Sequence, residues 1–206
     1  MNLNPEILSE LEKIVGPSYL FTDEATRRNY GQDETEDLSF PPQVVVKPAN
    51  TEEVAQILKI SNTYKIPTVP IGARTGLSGG ALSIYGGIGI SMERFNKIIE
   101  IDEQNLQVTT EPGVITQVLR EAVAEKGLLY PVDPSSMGSC WIGGNIAENS
   151  GGARALKYGV TKDYVLNLEV VLPTGDVIWT GANTLKNSTG YNLTQLMVGS
   201  EGTLGI

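Results

Sequence analysis

Residues 129–159 hold the densest set of residues that could bring main chain against a ligand. The segment contains six glycines, two asparagines and four serines. Apolar residues such as Met137, Cys140 and Trp141 lie among them, which is unusual for a flexible linker. Because glycine lacks a Cβ, backbone built from it approaches a flat or bulky group closely. The segment therefore predicts a loop that cradles a ligand, with a merely structural loop as the alternative. No periodic apolar pattern spans it.

A second glycine-rich stretch, Pro-Ile-Gly-Ala-Arg-Thr-Gly-Leu-Ser-Gly-Gly, occupies residues 70–80 after a short apolar run that predicts a strand. Consecutive N–H groups on such a loop can point into one concavity, a nest suited to phosphate. The stretch is not a Walker loop, since no Gly-Lys-Ser/Thr follows. It is not the dinucleotide fingerprint either, which needs Gly-x-Gly-x-x-Gly opening a helix. Taken alone, it is equally compatible with a tight turn between strands.

Three segments occur together and in a fixed order. They are Thr-Gly-Leu-Ser-Gly-Gly at 75–80, Gly-Ser-Cys-Trp-Ile-Gly-Gly-Asn-Ile-Ala-Glu-Asn-Ser-Gly-Gly at 138–152, and Val-Gly-Ser-Glu-Gly-Thr-Leu-Gly-Ile at 198–206. On these segments the chain resembles the FAD-linked 2-hydroxy-acid oxidases and dehydrogenases of the vanillyl-alcohol-oxidase-like superfamily. The likeness is to the glycolate oxidase flavin subunit, D-lactate dehydrogenase and D-2-hydroxyglutarate dehydrogenase group. It runs from about Pro41 to the last residue and implies an α+β fold, a two-subdomain FAD-binding domain of the vanillyl-alcohol-oxidase (PCMH) type.

The resemblance implies three sets of FAD contacts. The first is similar to the family's pyrophosphate loop and comprises Pro70, Gly72, Ala73, Arg74, Thr75, Gly76, Leu77, Ser78 and Gly79. The second is similar to the stretch along the flavin and ribityl chain and comprises Asp133, Pro134, Met137, Gly138, Ser139, Cys140, Gly143, Gly144, Asn145, Asn149, Gly151, Gly152, Tyr158 and Gly159. The third is similar to the segment at the adenosine end and comprises Glu201, Gly202, Gly205 and Ile206, the last through its backbone N–H and carbonyl.

Two residues depart from the family pattern. Arg74 stands where many relatives have glycine, so a positive φ at this position would carry strain. Its side chain has two open roles, an exposed cation or a phosphate contact that suits the guanidinium. Asn192 stands where relatives often carry aspartate, and we predict no more than a helix cap there.

We expect FAD to be bound without a covalent bond. Some members of the superfamily tether the flavin ring through histidine or cysteine, and this chain has no histidine. Cys140 is the one thiol, and its apolar neighbours Trp141 and Ile142 favour the inert, protonated form. We predict that it packs as a small hydrophobic residue.

The chain lacks an evident catalytic base. Removing a hydride from a 2-hydroxy acid needs a base for the hydroxyl proton, usually histidine, and no cysteines or carboxylates stand at metal-ligand spacing. We therefore predict no catalytic residue and no metal ligand here; in the resembling family these come from the cap and C-terminal chain. The implied function is the FAD-binding domain of an enzyme that oxidises D-lactate, glycolate or D-2-hydroxyglutarate by hydride transfer to flavin N5. Two alternatives stay open: a flavin-carrying electron-transfer subunit, and a non-flavin nucleotide-binding module.

Composition sets further bounds. A net charge of −9 argues against a nucleic-acid partner. No apolar tract reaches the length of a membrane span, and the first residues lack the features of a secretory signal. One cysteine fits a reducing compartment, so we expect a cytoplasmic protein with a small-molecule 2-hydroxy acid and an unknown electron acceptor as partners. A homodimer is left open. The apolar end of the chain predicts the N-terminal piece of a longer protein.

Local signals divide the chain into an arm and a domain. Helices predicted at 3–15 and 22–30 form an arm, residues 1–40, and the FAD-binding domain is predicted at 41–206, truncated at its end. We expect a small subdomain at 41–102 and a larger one with a mixed sheet at 103–206. Strands are predicted at 44–46, 66–70, 87–91, 98–101, 106–110, 165–172 and 177–179, and helices after Asn50 and after Pro112-Gly113.

Several conspicuous residues have structural interpretations. Tyr130 and Trp141 are predicted to be packing residues, because aromatic side chains dominate cores. Asp163 has no partner acid or base at a useful spacing and is predicted to be a cap. The acidic run at 33–37 is predicted to be a solvated face.

Overall fold

The computed structural model describes residues 3–206, and these fold into short helices and strands. In chain order the elements are α1 (Pro5–Val15), β1 (Leu20–Phe21), α2 (Glu24–Asn29), β2 (Val44–Val46), α3 (Thr51–Tyr64), β3 (Thr68–Ile71), β4 (Ile88–Ser91), β5 (Ile98–Asp102), β6 (Gln107–Thr110), α4 (Thr116–Ala124), α5 (Ile142–Glu148), α6 (Ala155–Tyr158), β7 (Glu169–Val171), β8 (Val177–Trp179) and α7 (Leu193–Met197). Single 3₁₀ turns occur at Pro17–Tyr19 and Thr161–Asp163.

The chain divides into two compact units. The first runs up to Arg94 and adds Glu169–Trp179 and Gly202–Ile206. The second comprises Phe95–Leu168 and Thr180–Glu201. The domain boundaries that the sequence suggests near Pro41 and at residue 102 stay predictions.

In the described part of the chain, four helices begin at a residue whose side chain caps the first turn. The side chains of Asn4, Asp23, Asn50 and Asn192 each accept a hydrogen bond from a backbone N–H in the first turn of the helix that follows. Such caps satisfy N–H groups that have no partner inside the helix. The prediction that Asn192 is a helix cap is therefore confirmed.

The first unit is built on a four-stranded sheet of order β1-β2-β4-β3. Strands β2, β4 and β3 are parallel, and β1 pairs antiparallel with β2 at the edge. Val44, Val45 and Val46 are fully buried, as expected for a parallel strand covered on both faces. Helix α3 buries Val54 and Ile57 among other residues of one face. The carboxyl ends of the parallel strands therefore emerge from a rigid, buried sheet.

The β7–β8 hairpin belongs to the same unit and is antiparallel, as predicted. The N–H of Gly175 donates to the carbonyl oxygen of Leu172 at 2.7 Å and closes the turn. A Cβ at Gly175 would lie 2.7 Å from the carbonyl oxygen of Ala55 in α3, so glycine is required for this close approach. The strand predicted at 165–172 is shorter than expected and begins at Glu169.

The second unit has a helical core beside the β5–β6 hairpin. Val114, Leu119, Val123 and Ile142 form its buried cluster, and Tyr130 packs against them. The packing role predicted for Tyr130 is confirmed. The larger mixed sheet predicted for residues 103–206 is wrong, since the described strands there belong to two separate two-stranded antiparallel ladders, β5–β6 and β7–β8.

Helix α5 corrects the prediction that 129–159 is all loop. Two glycines near its start and the lack of a side-chain cap hide it from sequence patterns. Tertiary contacts supply what local propensity lacks. The N–H of Ile142 donates to the carbonyl oxygen of Val114 at 2.9 Å, and that of Gly143 donates to Pro112 at 2.7 Å.

Candidate cofactor site

Residues 72–79 follow the carboxyl end of β3, where ligands bind in open sheets with parallel strands. Among residues 3–206, no protein acceptor lies within hydrogen-bonding reach of the backbone N–H groups at 72–76. Consecutive free donors on an irregular loop can satisfy the oxygens of an anion, as phosphate nests do. The loop therefore fits a pyrophosphate group, and its free donors belong to Gly72, Ala73, Arg74, Thr75 and Gly76.

Arg74 lies in the left-handed region with a φ of 60°. A non-glycine residue there is strained by about 1–3 kcal/mol, as expected for this position. The side chain offsets part of that strain. One guanidinium N–H donates to the carbonyl oxygen of Asn29, and the guanidinium carbon lies 4.8 Å from the centroid of the Tyr30 ring. The Arg74 side chain is therefore bound by other residues of the protein. It is not the free, exposed cation that was one of its two predicted roles.

Residues 33–35 also meet this loop, which the sequence did not indicate. The N–H of Glu34 donates to the carbonyl oxygen of Gly76 at 3.2 Å. A Cβ at Gly79, which has a φ of 75°, would lie 4.0 Å from Oγ1 of Thr35. The carboxylate-bearing residues Glu34, Glu36 and Asp37 are exposed, in line with a solvated face, but the backbone between them packs on the loop.

Gly202, Gly205 and Ile206 of the third predicted set lie against β3 and β7 within the first unit. Glu201 belongs to the second unit, where its N–H donates to the carbonyl oxygen of Ala147 at 3.0 Å. A Cβ at Gly202 would overlap the ring of Pro70, so glycine lets the chain end pass over the start of the loop. The N–H of Ile206 donates to the carbonyl oxygen of Val171 at 2.9 Å, and its own carbonyl accepts from Val171 at 2.7 Å. The adenosine contact of Ile206 stays a prediction, and it is restricted to the second lone pair of that carbonyl. Gly205 lies against the same strand.

In the second unit, residues 133–141 form a series of tight turns. The N–H of Met137 donates to the carbonyl oxygen of Pro134 at 2.9 Å, and the N–H groups of Ser139 and Cys140 donate to Ser136 at 2.8 Å. Met137, Gly138 and Ser139 are exposed, so main chain here reaches solvent. Cys140 is 4% exposed.

Asn145 is buried and hydrogen-bonded within the second unit. Its side chain is 2% exposed, and Nδ2 donates to Oγ1 of Thr116 at 2.5 Å. That hydroxyl lies 3.3 Å from the carbonyl oxygen of Cys140 and 3.3 Å from its Sγ. Asn149 is engaged in a similar way, since its Oδ1 accepts from the N–H of Lys162 at 2.9 Å. Any contact of these asparagines with a cofactor stays a prediction.

Asp133 and Gly152 are brought together. The Asp133 carboxylate pairs with Nε of Arg154 at 3.1 Å and accepts from the backbone N–H of the same residue at 3.2 Å. A Cβ at Gly152 would overlap the carbonyl oxygen of Asp133. Arg154 was missed from the sequence, because nothing in the spacing of residues 133 and 154 marks them as partners.

The remaining glycines of this segment differ in how closely other atoms surround them. A Cβ at Gly143 would lie 2.6 Å from Cβ of Pro112, and one at Gly151 would lie 3.3 Å from Cγ1 of Val160. A Cβ at Gly144 has no atom within 4 Å, so this position on α5 leaves an open face. An open glycine on a helix fits the approach of a flat ring, which makes Gly144 the best-supported of the predicted contacts in this segment.

Tyr158 and Gly159 end α6 beside Asp163. The Asp163 carboxylate accepts from the N–H of Val160 at 2.8 Å, which confirms its predicted capping role. The Tyr158 carbonyl accepts from the hydroxyl of Tyr164, whose ring lies 5.8 Å edge-on from that of Tyr130. Burial raises the pKa of Tyr130 to about 12.

Two further features concern the whole described chain. Within residues 3–206, no three His, Cys, Asp or Glu residues come together in a group that could hold a metal ion. The same residues form no helix that is both long and apolar enough to cross a membrane.

The chain belongs to the family of FAD binding domains. Residues 42–181 match that family, and the free donors of the 72–76 loop suit the pyrophosphate of this cofactor. FAD is therefore its cofactor, and the resemblance drawn from the three glycine-rich segments is confirmed.

Curated relatives are similar over nearly the whole chain. The chain is 48% identical over 204 residues to the glycolate oxidase subunit GlcD of Bacillus subtilis, which covers 99% of this chain and 43% of the relative. It is 45% identical over 205 residues to a D-lactate dehydrogenase of Anaerostipes hadrus, covering 99% and 43%. It is 39% identical over 202 residues to a D-2-hydroxyglutarate dehydrogenase of Stutzerimonas stutzeri, covering 98% and 44%. The chain thus spans less than half the length of these relatives.

Solved structures agree on the fold. An alkyldihydroxyacetonephosphate synthase superposes with a TM-score of 0.85 at 26% identity, covering 100% of this chain and 42% of that one. A p-cresol methylhydroxylase superposes with a TM-score of 0.78 at 21% identity, covering 98% and 41%. The predicted α+β fold of the PCMH type is confirmed.

Proposed function

We propose that this chain is the FAD-binding part of an oxidoreductase that converts a 2-hydroxy acid into the 2-oxo acid. D-lactate, glycolate and D-2-hydroxyglutarate are the candidate substrates, because the similar relatives bear the names of enzymes for these compounds. The observation that carries the cofactor part of the proposal is the run of free N–H donors at 72–76. It suits a chain of net charge −9, in which peptide dipoles must balance most of a pyrophosphate's charge.

In this proposal the chain holds and orients the cofactor. Bound flavin supplies a hydride acceptor at N5. The chain contributes the backbone donors of 72–76, the Arg74 guanidinium beside them and the open face at Gly144. It offers no histidine to take the hydroxyl proton. Tyr130 stays protonated at neutral pH, since burial raises its pKa to about 12. The base is therefore proposed to come from outside residues 1–206.

We further propose that FAD is held without a covalent bond. The one thiol, Cys140, is 4% exposed and lies against Thr116. A buried thiol in apolar surroundings is inert as a nucleophile. Acid precipitation of the full-length protein should leave the yellow colour in the supernatant, whereas flavin that travels with the Cys140 peptide would contradict this proposal.

The other proposed attributes have narrower support. The residues predicted from sequence as FAD contacts are proposed as such, with the main chain of 72–76 first among them.

A cytoplasmic location is supported by the single cysteine, which excludes an internal disulfide. Fractionation of cells that express the tagged full-length protein tests this location.

The deciding experiment is anaerobic reduction of the full-length protein with a panel of D- and L-2-hydroxy acids. Bleaching of the flavin's visible absorption by one enantiomer of one acid supports the proposed oxidation. A yellow protein that no acid in the panel bleaches supports the alternative, a flavin-carrying electron-transfer subunit. A colourless protein that acquires no flavin on incubation with FAD contradicts both.

A further inference from the structure

Residues 29–35 lie outside the matched FAD binding domain, and they contact the 72–79 loop repeatedly. We infer that this arm segment holds the loop in the conformation that receives the pyrophosphate, with Tyr30 as the positioning residue. The inference rests on the proposed FAD function of the loop.

Tyr30 is a fixed support. Its side chain is 7% exposed and forms a buried cluster with Val45 and Ile71 of the sheet. Its hydroxyl donates to Oε2 of Glu93 at 2.8 Å, and Glu93 is paired with Lys47. A buried ring that is hydrogen-bonded at its far end has little freedom to move.

Arg74 is the loop residue that contacts the Tyr30 ring. Its guanidinium lies 4.8 Å from the Tyr30 ring centroid and donates to the last residue of α2, Asn29, whose carbonyl oxygen has no partner further along the helix. The cation is attracted by the ring face and by the carboxyl end of the helix. These contacts hold Arg74 at a φ of 60° in the middle of the five free N–H groups. Without them, relaxation to a negative φ would turn the neighbouring peptides away.

The far side of the loop is tied to the same segment. The N–H of Glu34 donates to the carbonyl oxygen of Gly76 at 3.2 Å. Oγ1 of Thr35 lies near Gly79, is buried, and has no hydrogen-bond partner among residues 3–206. The buried hydroxyl shows that the arm packs on the loop closely enough to exclude water. The arm thus contacts the loop at three places, namely Arg74, Gly76 and Gly79.

The test uses Tyr30→Leu in the full-length protein. Leu keeps the apolar bulk in the cluster and removes the aromatic face that holds Arg74. Tyr30→Phe keeps that face and removes the hydroxyl. Tyr19→Leu is the matched control, because Tyr19 also lies under an arginine, Arg94, at 3.6 Å, and this pair does not touch the loop. Each deflavinated variant is titrated with FAD and, separately, digested with trypsin, which cleaves after a released Arg74.

We expect Tyr30→Leu to raise the FAD dissociation constant about five- to tenfold, since a smaller fraction of the protein molecules then holds the 72–79 loop in the conformation that binds FAD. Tryptic cleavage after Arg74 should be faster in this variant without FAD. Tyr30→Phe should stay within about twofold of the parent in both measurements, as should Tyr19→Leu. Unchanged affinity and cleavage in Tyr30→Leu overturn the inference. An equal loss in Tyr19→Leu also overturns it, by showing a general loss of stability. If the parent protein binds no FAD, the proposed function fails, and the cleavage rates alone decide the role of Tyr30.

Discussion

The two glycine-rich segments of this chain are alike in composition and different in use. At 72–76 the backbone donors are free, and a side chain, Arg74, is anchored to hold them. At 133–152 most backbone and side-chain groups serve the unit's own fold, through the turns at Ser136, helix α5 and the Asn145–Thr116 hydrogen bond. The first segment is suited to a ligand's charge, whereas the second uses two of its glycines, Gly143 and Gly152, to bring backbone close to other backbone of its own unit.

Glycine density alone therefore does not locate a ligand. A glycine that faces open space leaves room for a ligand, and a glycine that faces a carbonyl oxygen within the fold does not. Gly144 is of the first kind, and Gly143 and Gly152 are of the second. Substitutions at the two kinds of position should therefore separate cofactor affinity from stability.

The largest effect is expected for Gly76→Val. A β-branched side chain blocks the approach of phosphate to the loop, and each lost hydrogen bond to a charged group is worth about 1.5–3 kcal/mol. The full-length variant should purify mostly as apoprotein, as measured by the ratio of flavin to protein absorbance, with little change in apoprotein melting temperature. Leu185→Val is the control, since that side chain is 94% exposed and lies outside the predicted FAD contacts, and it should retain flavin. Full flavin content in Gly76→Val would show that this loop does not hold the phosphates.

Gly152→Ala should have the next largest effect, and this effect is on stability. The new Cβ overlaps the backbone carbonyl oxygen of Asp133, which cannot rotate away as a side chain can. Overpacking of this kind should lower the free energy of unfolding of the apoprotein by about 3 kcal/mol, measured by urea denaturation. Gly151→Ala is the neighbouring control, because its Cβ would meet only side chains at 3.3 Å or more. Equal stability of the two variants would show that overlap with the Asp133 backbone costs no more than close contact with side chains.

Thr116→Val tests whether the buried Asn145 side chain stabilises the second segment. Valine has the shape of threonine but lacks the hydroxyl, so Nδ2 of Asn145 loses its acceptor in a site that is 2% exposed. A buried donor left without a partner costs about 1–3 kcal/mol, and the urea midpoint of the apoprotein should fall accordingly. Thr116→Ser keeps the hydroxyl and should recover most of the loss. A Thr116→Val protein as stable as its parent would show that the Asn145–Thr116 hydrogen bond does not stabilise this unit.

Local chemistry explains which features could be predicted. Caps such as Asn4 and Asn50 act within three residues, and the valine run of β2 signals burial by itself, so the sequence predicts them. The order of the three glycine-rich segments predicts the family. The support of Arg74 by Asn29 joins residues 45 apart in sequence, and the hydrogen bond between Asn145 and Thr116 joins residues 29 apart. Such pairs leave no periodic trace, and helix α5 is hidden because two glycines lower its propensity.

Gly144→Ala should have the smallest effect on stability, and the directions in which stability and FAD affinity change are informative. Alanine favours a helix over glycine by about 1 kcal/mol, and a Cβ at this position meets no atom within 4 Å. The apoprotein should therefore melt at a slightly higher temperature than its parent. If a flat ring of the cofactor rests on this open face, the same methyl group obstructs it, and the FAD dissociation constant should rise in the stabilised protein. Higher stability combined with lower FAD affinity distinguishes a ligand-facing glycine from a structural one, because a packing defect would lower both stability and affinity. Gain in stability with unchanged FAD affinity would remove Gly144 from the cofactor site and leave the second segment without its best-supported contact.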